Sequence, residues 1–219
     1  MQIFRSKYEH IFRYTIYGER HSGTNFLEQC FKQKFNLDLT YFYGFKHWMG
    51  FAKPERIAYD RHVLFTGIVR HPYDWIAAFY SLPHHVPKQH TETIERFLTS
   101  EWYSVDYHGK EIMQDRDYTT GNRAIRYRNI FHMRKEKCIY LSQIMPVLAS
   151  NYILISYDSF LYNHENYLNI IRDRFNLKIF GNPPAPIDKP KIQLDKKIKK
   201  IIDDNIDWSV EASLGYFPR

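Results

Sequence analysis

The most constraining stretch of this 219-residue chain is "VLFTGIVRHP", Val63 to Pro72. From Val63 to Val69 it carries no charge and shows no alternation of polar and apolar side chains. A strand wetted on one face alternates, whereas a strand covered on both faces does not, so the run predicts a central strand of a parallel sheet. Parallel strands need long crossovers, usually helices. Pro72 suits the first turn of such a helix, because it has no N–H to satisfy and its φ is already helical, and Trp75 and Phe79 continue the apolar face.

Two further segments repeat this grammar. "FRYTIYG", Phe12 to Gly18, is rich in β-formers and ends on glycine; Asn25 to Phe35 then places Phe26, Leu27, Cys30 and Phe31 on one helical face. Later, "YILISYDSF" reads as another buried strand and "NHENYLNIIRDRFNL" as an amphipathic helix. Three strand-to-helix units predict an α/β fold: one domain over residues 1–219, with a central parallel sheet flanked by helices. The polar and aromatic stretch from Pro83 to Tyr118, with His84, His85, His90 and His108, reads as helices and loops over one end of the sheet, part of an insertion over residues 83–135. "GNPPAPIDKP", Gly181 to Pro190, excludes helix and central strand and predicts an extended crossing segment before the basic helix "QLDKKIKKIIDDNI".

A formal charge of +7 and a pI near 9.2 favour anionic partners. Cys30 and Cys138 stand too far apart for a CxxC metal pair, which suggests a reducing compartment. The N-terminus has scattered charges and no apolar run of the ~18 residues a span requires. The expectation is a cytoplasmic protein without an integral membrane segment or export signal. No nucleic-acid-binding motif accompanies the positive charge.

In an open parallel sheet, ligands bind beyond the carboxyl ends of the strands. Two candidate segments fall there. "YGERHSGTNF" has Gly18 and Gly23 five apart, as in a Walker A loop, but Gly23-Thr24-Asn25 replaces Gly-Lys-Ser/Thr and the cations Arg20 and His21 precede the second glycine. Backbone N–H groups at the start of the following helix, with Ser22 and Thr24 hydroxyls, suit a phosphate or sulfate. Arg70 closes the central strand, where a guanidinium can hold an anion bidentately or pair with Asp74.

Taken in order, "RHSGTNF", "VRHPYDW" and "LISYDSF" resemble the signature segments of the sulfotransferase family, and the ending "EASLGY" is similar to bacterial members. The resemblance spans Tyr17 to Tyr216. It implies a single P-loop-like three-layer domain and transfer of a sulfuryl group from 3′-phosphoadenosine 5′-phosphosulfate (PAPS) to an acceptor hydroxyl, with a carbohydrate as first choice, and no metal. Position by position, it implies that His21, Ser22, Gly23, Thr24 and Asn25 hold the 5′-phosphosulfate; His21 falls where the family has its lysine, and either it or its neighbour Arg20 takes that cation's role. Phe26 stands where a tryptophan often meets the adenine, a place a core phenylalanine fills equally well.

Arg70 matches the arginine of the 3′-phosphate, but the accompanying serine is Ala78 here, with Ser81 a helical turn later. The family's Gly-rich basic segment near the C-terminus is absent, leaving Arg123 or Arg126 to assist. "GFKHWMGF" offers Lys46 and His47, similar to the family's Lys-Thr-His segment but adjoining; the resemblance implies His47 as the base and Lys46 on the sulfuryl oxygens, with Glu19 as a fallback base. The histidines of "SLPHHVPKQH" have no Cys or acidic partner nearby to make a metal site and read as lining of an acceptor pocket in the 83–135 insertion, and the run Arg123 to Lys137 reads as a solvated helix face or an anion receiver. The competing readings are a P-loop kinase-like ATP-dependent phosphotransferase and a degenerate protein that binds adenosine 3′,5′-bisphosphate (PAP) without transfer.

Overall fold

In the computed structural model, which describes residues 1–5, 10–49, 54–120, 125–187 and 192–219, the run Val63–Val69 is the middle strand of a five-stranded sheet, and all of it is buried. The strands are β1 (Gln2–Arg5), β2 (Arg13–Tyr17), β3 (Asp38–Leu39), β4 (Val63–Val69) and β5 (Asn151–Ser156), in the spatial order β1-β5-β4-β2-β3. β2, β3, β4 and β5 run parallel, but β1 pairs antiparallel to β5, Gln2 opposite Leu154. The fold is α/β, and the parallel sheet expected from the sequence is present in four strands, with one antiparallel edge strand that makes the sheet mixed. A four-residue edge strand has too short a pattern to announce itself; its partner β5, buried on both faces, supplies the template.

The helices among the described residues are α1 (Thr24–Lys34), α2 (Pro54–Tyr59), α3 (Pro72–Ser81), α4 (Ile94–Thr99), α5 (Ile130–Ile139), α6 (Met145–Leu148), α7 (Tyr157–Phe175), α8 (Lys196–Asn205) and α9 (Trp208–Ser213). None is long and apolar enough to cross a membrane. The chain's contacts fall into two compact units: Met1–His71 with Leu141–Pro190, and Pro72–Tyr140 with Lys191–Arg219.

In the first unit, alternate residues of the strands, such as Ile16, Ile68 and Ile155, meet Leu27 and Phe31 of α1 and Leu168 and Ile171 of α7 in one core. The opposite sheet face carries Tyr17 and Phe65, with the Tyr43 ring 5.1 Å from Phe65. Gly67 is required there: a Cβ on it would lie 2.3 Å from Tyr152 Oη, which donates to the Leu141 carbonyl at 2.7 Å. α7 starts earlier than its periodicity implies. Tyr157 to Phe160, read with the strand, form its first turn, and a non-helical Asn163 (φ −131°, ψ 28°) divides that turn from the amphipathic part. The expected crossing segment is irregular through Ile187, and its residues 188–190 lie outside the described residues.

The second unit packs around aromatic side chains of α3, α4 and the segment after α4: Trp75, Phe79, Phe97 and Trp102 are all fully buried, joined by Ile130 and Met133 of α5 and Ile198 and Ile202 of α8. The stretch from Pro83 to Tyr118 is mostly loop and turn, with short elements set in it: a 3-10 turn at Lys88–Thr91, α4, and isolated bridges. The basic run ending at Lys137 is a solvated face only in part: Arg128 is exposed, but two of its cations turn inward. Arg134 and Lys137 are buried, Arg134 donating to both Glu211 carboxylate oxygens at 2.5 and 2.8 Å and Lys137 to Asp115 at 2.6 Å. Composition could not separate these inward cations from exposed ones, because their carboxylates come from distant sequence.

Candidate functional site

β2 delivers the chain to Gly18, whose N–H donates to the Lys46 carbonyl at 2.9 Å. A Cβ at Gly18 would meet the Ile68 carbonyl oxygen at 2.6 Å, so the loop leaves β2 pressed against β4. Ser22 N–H then closes a turn on the Glu19 carbonyl at 3.1 Å. His21 (φ 62°) and Gly23 (φ 91°) both take the left-handed conformation. Such backbone alternation forms concave donor surfaces. Gly23 is the N-cap of α1 without a side-chain cap bond, and no acidic residue sits in the first turn; the first N–H to reach a helical carbonyl is Leu27's, on Gly23 at 3.0 Å. The α1 start therefore presents uncapped donors and the positive end of the helix dipole.

Three other segments reach this loop. From the end of β4, Arg70 donates Nη1 to the His21 carbonyl at 3.1 Å, and its guanidinium carbon lies 5.0 Å above the Tyr157 ring. His71 N–H donates to Asp158 at 3.1 Å, tying the same strand end to α7. The Tyr157 ring covers Gly23 so closely that a Cβ there would lie 2.2 Å from Cδ2. Burial pushes the Tyr157 phenol up, against the lowering influence of Arg70, so the ring stays neutral beneath the cation. Tyr157 and Asp158 were not named as site residues by the sequence reading; the signal was their position at the end of the third buried strand.

The third segment brings the adjoining pair. Lys46 donates Nζ to Asn25 Oδ1 at 2.6 Å and stands 3.5 Å from Glu28, beside the first turns of α1. A lysine, absent from the Gly18–Gly23 loop, thus reaches the α1 start from a neighbouring loop. His47 is buried, with Nδ1 2.7 Å from the Gly18 carbonyl. A carbonyl only accepts, so Nδ1 carries the hydrogen and, in the neutral ring, Nε2 holds the lone pair.

Other named residues take different places. Arg20 is 2% exposed and faces its neighbour Glu19, Nε to Oε2 at 3.3 Å, so the fallback base and one candidate loop cation occupy each other. Ser22 and Thr24 are buried and Asn25 is exposed. Phe26 packs edge-on to Phe160 at 5.6 Å and against His164, half-buried on the α1–α7 core. In the second unit, Ser81 donates to the Ala78 carbonyl at 2.9 Å, and Asp74 pairs with Arg219. Arg126 grips Glu111 with two bonds of 2.7 and 2.8 Å and also reaches Glu101; Arg123 lies outside the described residues. Among the described residues no group of three metal-ligating side chains gathers. His85 Nδ1 is engaged at 2.9 Å with the Val105 carbonyl and His90 is buried.

Searches of family models, curated proteins and solved structures return no match to this chain.

Proposed function

We propose that this chain is a PAPS-dependent sulfotransferase that moves a sulfuryl group to an acceptor hydroxyl. One observation carries the reading: Arg70 and Lys46, from different segments, flank the uncapped start of α1, while His47 is fixed on the carbonyl of the loop's first glycine. These are the parts that a phosphosulfate donor with a second phosphate requires. The P-loop-like assignment rests on the same strand, glycine loop and helix.

In the proposed reaction, the acceptor oxygen forms a bond to sulfur as the bond from sulfur to the bridging phosphate oxygen breaks, and that oxygen keeps the electron pair. The acceptor's proton passes to His47 Nε2, whose tautomer is set by the Gly18 carbonyl. The N–H groups at the α1 start and the Lys46 ammonium stabilise negative charge developing on the leaving phosphate. Arg70, steadied by His21 and Tyr157, holds the 3′-phosphate.

Calorimetric titration of the whole chain with PAP, and separately with ATP and Mg²⁺, tests the donor. Metal-independent binding of the bisphosphate, with little affinity for Mg-ATP, is expected. Preference for Mg-ATP would replace this reading with the kinase-like one, and bisphosphate binding without transfer to any hydroxyl acceptor would indicate the degenerate form.

A further inference from the structure

A cleft lies in the second unit, formed by α5 and the turn between α8 and α9. It is open, with a volume of about 580 Å³. Small-molecule sites span roughly 300–1,000 Å³. Its wall is part apolar, from Phe131, Ile206 and the indole of Trp208, and part cationic, from Arg128 and Lys135. Tyr73 sets the indole, the two rings standing 5.9 Å apart at 72°.

The charges of this cleft are unequal in their availability. Asp207, its carboxylate, is taken: it accepts from Lys135 at 2.7 Å, from the backbone N–H of Ser209 and Val210, and from the Ser209 hydroxyl at 2.5 Å. The Lys135 hydrogen bond and then that of Ser209 hold Asp207 down to about 2. His132, also part of the wall, faces Asp117 at 3.9 Å and Glu136 at 3.7 Å, and its Nδ1 accepts the Arg128 backbone N–H at 3.2 Å. Nδ1 acting as acceptor places the neutral ring's hydrogen on Nε2, toward those carboxylates. The Arg128 guanidinium is exposed and, among the described residues, takes no hydrogen bond or ion pair. Its field nonetheless reaches Lys135, whose pKa it opposes.

We propose that this cleft binds a small aryl anion: an aromatic ring seated against Trp208 and carrying a phosphate, sulfate or carboxylate held by Arg128, with Lys135 beside it. A planar guanidinium grips such groups with two parallel hydrogen bonds, and an indole offers an aromatic partner a large, rigid contact. An inorganic anion would find the guanidinium but forgo the ring contact, and an uncharged arene the reverse. The proposal is independent of the sulfotransferase reading.

Phenyl phosphate is the probe, with phenol and inorganic phosphate as halves of it, and the indole N–H resonance of Trp208 in heteronuclear NMR of the full chain as the readout. Saturable displacement of that resonance by phenyl phosphate is expected, at least tenfold tighter than by either half, and weakened tenfold or more by Arg128→Ala. Arg128 is on the surface, so that variant tests the site without endangering the fold. Arg70→Ala, in the other unit, should leave the Trp208 response unchanged. The proposal fails if phenyl phosphate does not saturate the Trp208 signal, if phenol binds equally well, or if Arg128→Ala leaves the affinity intact.

Discussion

Arg70 hydrogen-bonds through Nη1 to the backbone carbonyl of His21, 49 residues earlier, at 3.1 Å while lying over the ring of Tyr157. The contact fixes the end of the central strand to the glycine loop and leaves the planar guanidinium oriented beside it. Arg70→Ala should weaken PAP binding by tenfold or more in calorimetry, equivalent to at least ~1.4 kcal/mol. Arg70→Lys should restore little of it, because an ammonium neither forks nor stacks. Full rescue by lysine would show that only charge matters.

Gly23 is constrained twice, by its φ of 91° and by the Tyr157 ring over its α-carbon. Gly23→Ala adds a conformational cost of ~1–2 kcal/mol for a left-handed L-residue and a steric one besides. Pairing it with Tyr157→Ala should remove the steric part, so the double variant is less destabilised than the sum of the two singles in urea denaturation. Additive losses would show that the ring can move aside freely.

His47 tests the chemistry. With Nδ1 committed to Gly18, His47→Ala should lower sulfuryl transfer by ~10²–10⁴-fold while PAP affinity stays within about twofold, as measured by single-turnover assay and calorimetry. Unchanged turnover would place the base elsewhere.

The second unit contributes a pH dependence. His90 is buried, its Nδ1 has no partner among the described residues, and its pKa is lowered below 6.5, first by burial and then by Arg126, with Glu101 opposing. In the unfolded chain the ring binds its proton near the ordinary value, so below about pH 6.5 the unfolded state holds more protons and stability falls as pH falls. Urea denaturation at pH 7.5 and 5.5 should show this loss, and His90→Phe, which keeps a ring against Tyr103, should reduce it. An unaltered pH slope in the variant would assign the loss to other groups.

Arg134 and Glu211 form a buried pair, with the guanidinium 4.8 Å from the Trp75 ring. Arg134→Ala strands the Glu211 carboxylate and should cost ~3–5 kcal/mol, whereas Arg134→Met with Glu211→Leu should recover most of it. Thermal unfolding of the single and double variants checks this; equal losses would mean the pair itself supplies the stability.

Three of the five strands, β2, β4 and β5, and the helices that follow them were legible in the sequence because their signals are local. Val63–Val69 is uncharged since both its faces are covered, and Leu27, Cys30 and Phe31 recur at the helical period because one face of α1 is buried. The glycine loop, Arg70, and the pair Lys46-His47 could be named from residue type and order. Their association could not. Lys46 meets Asn25, His47 meets Gly18, and Tyr157 lies between Gly23 and Arg70, contacts between residues 21 to 134 positions apart. Antiparallel β1 and the inward turn of Arg134 and Lys137 were likewise decided by partners remote in the chain. Periodicity records which side of an element is buried; only the packed chain decides what each side chain finds there.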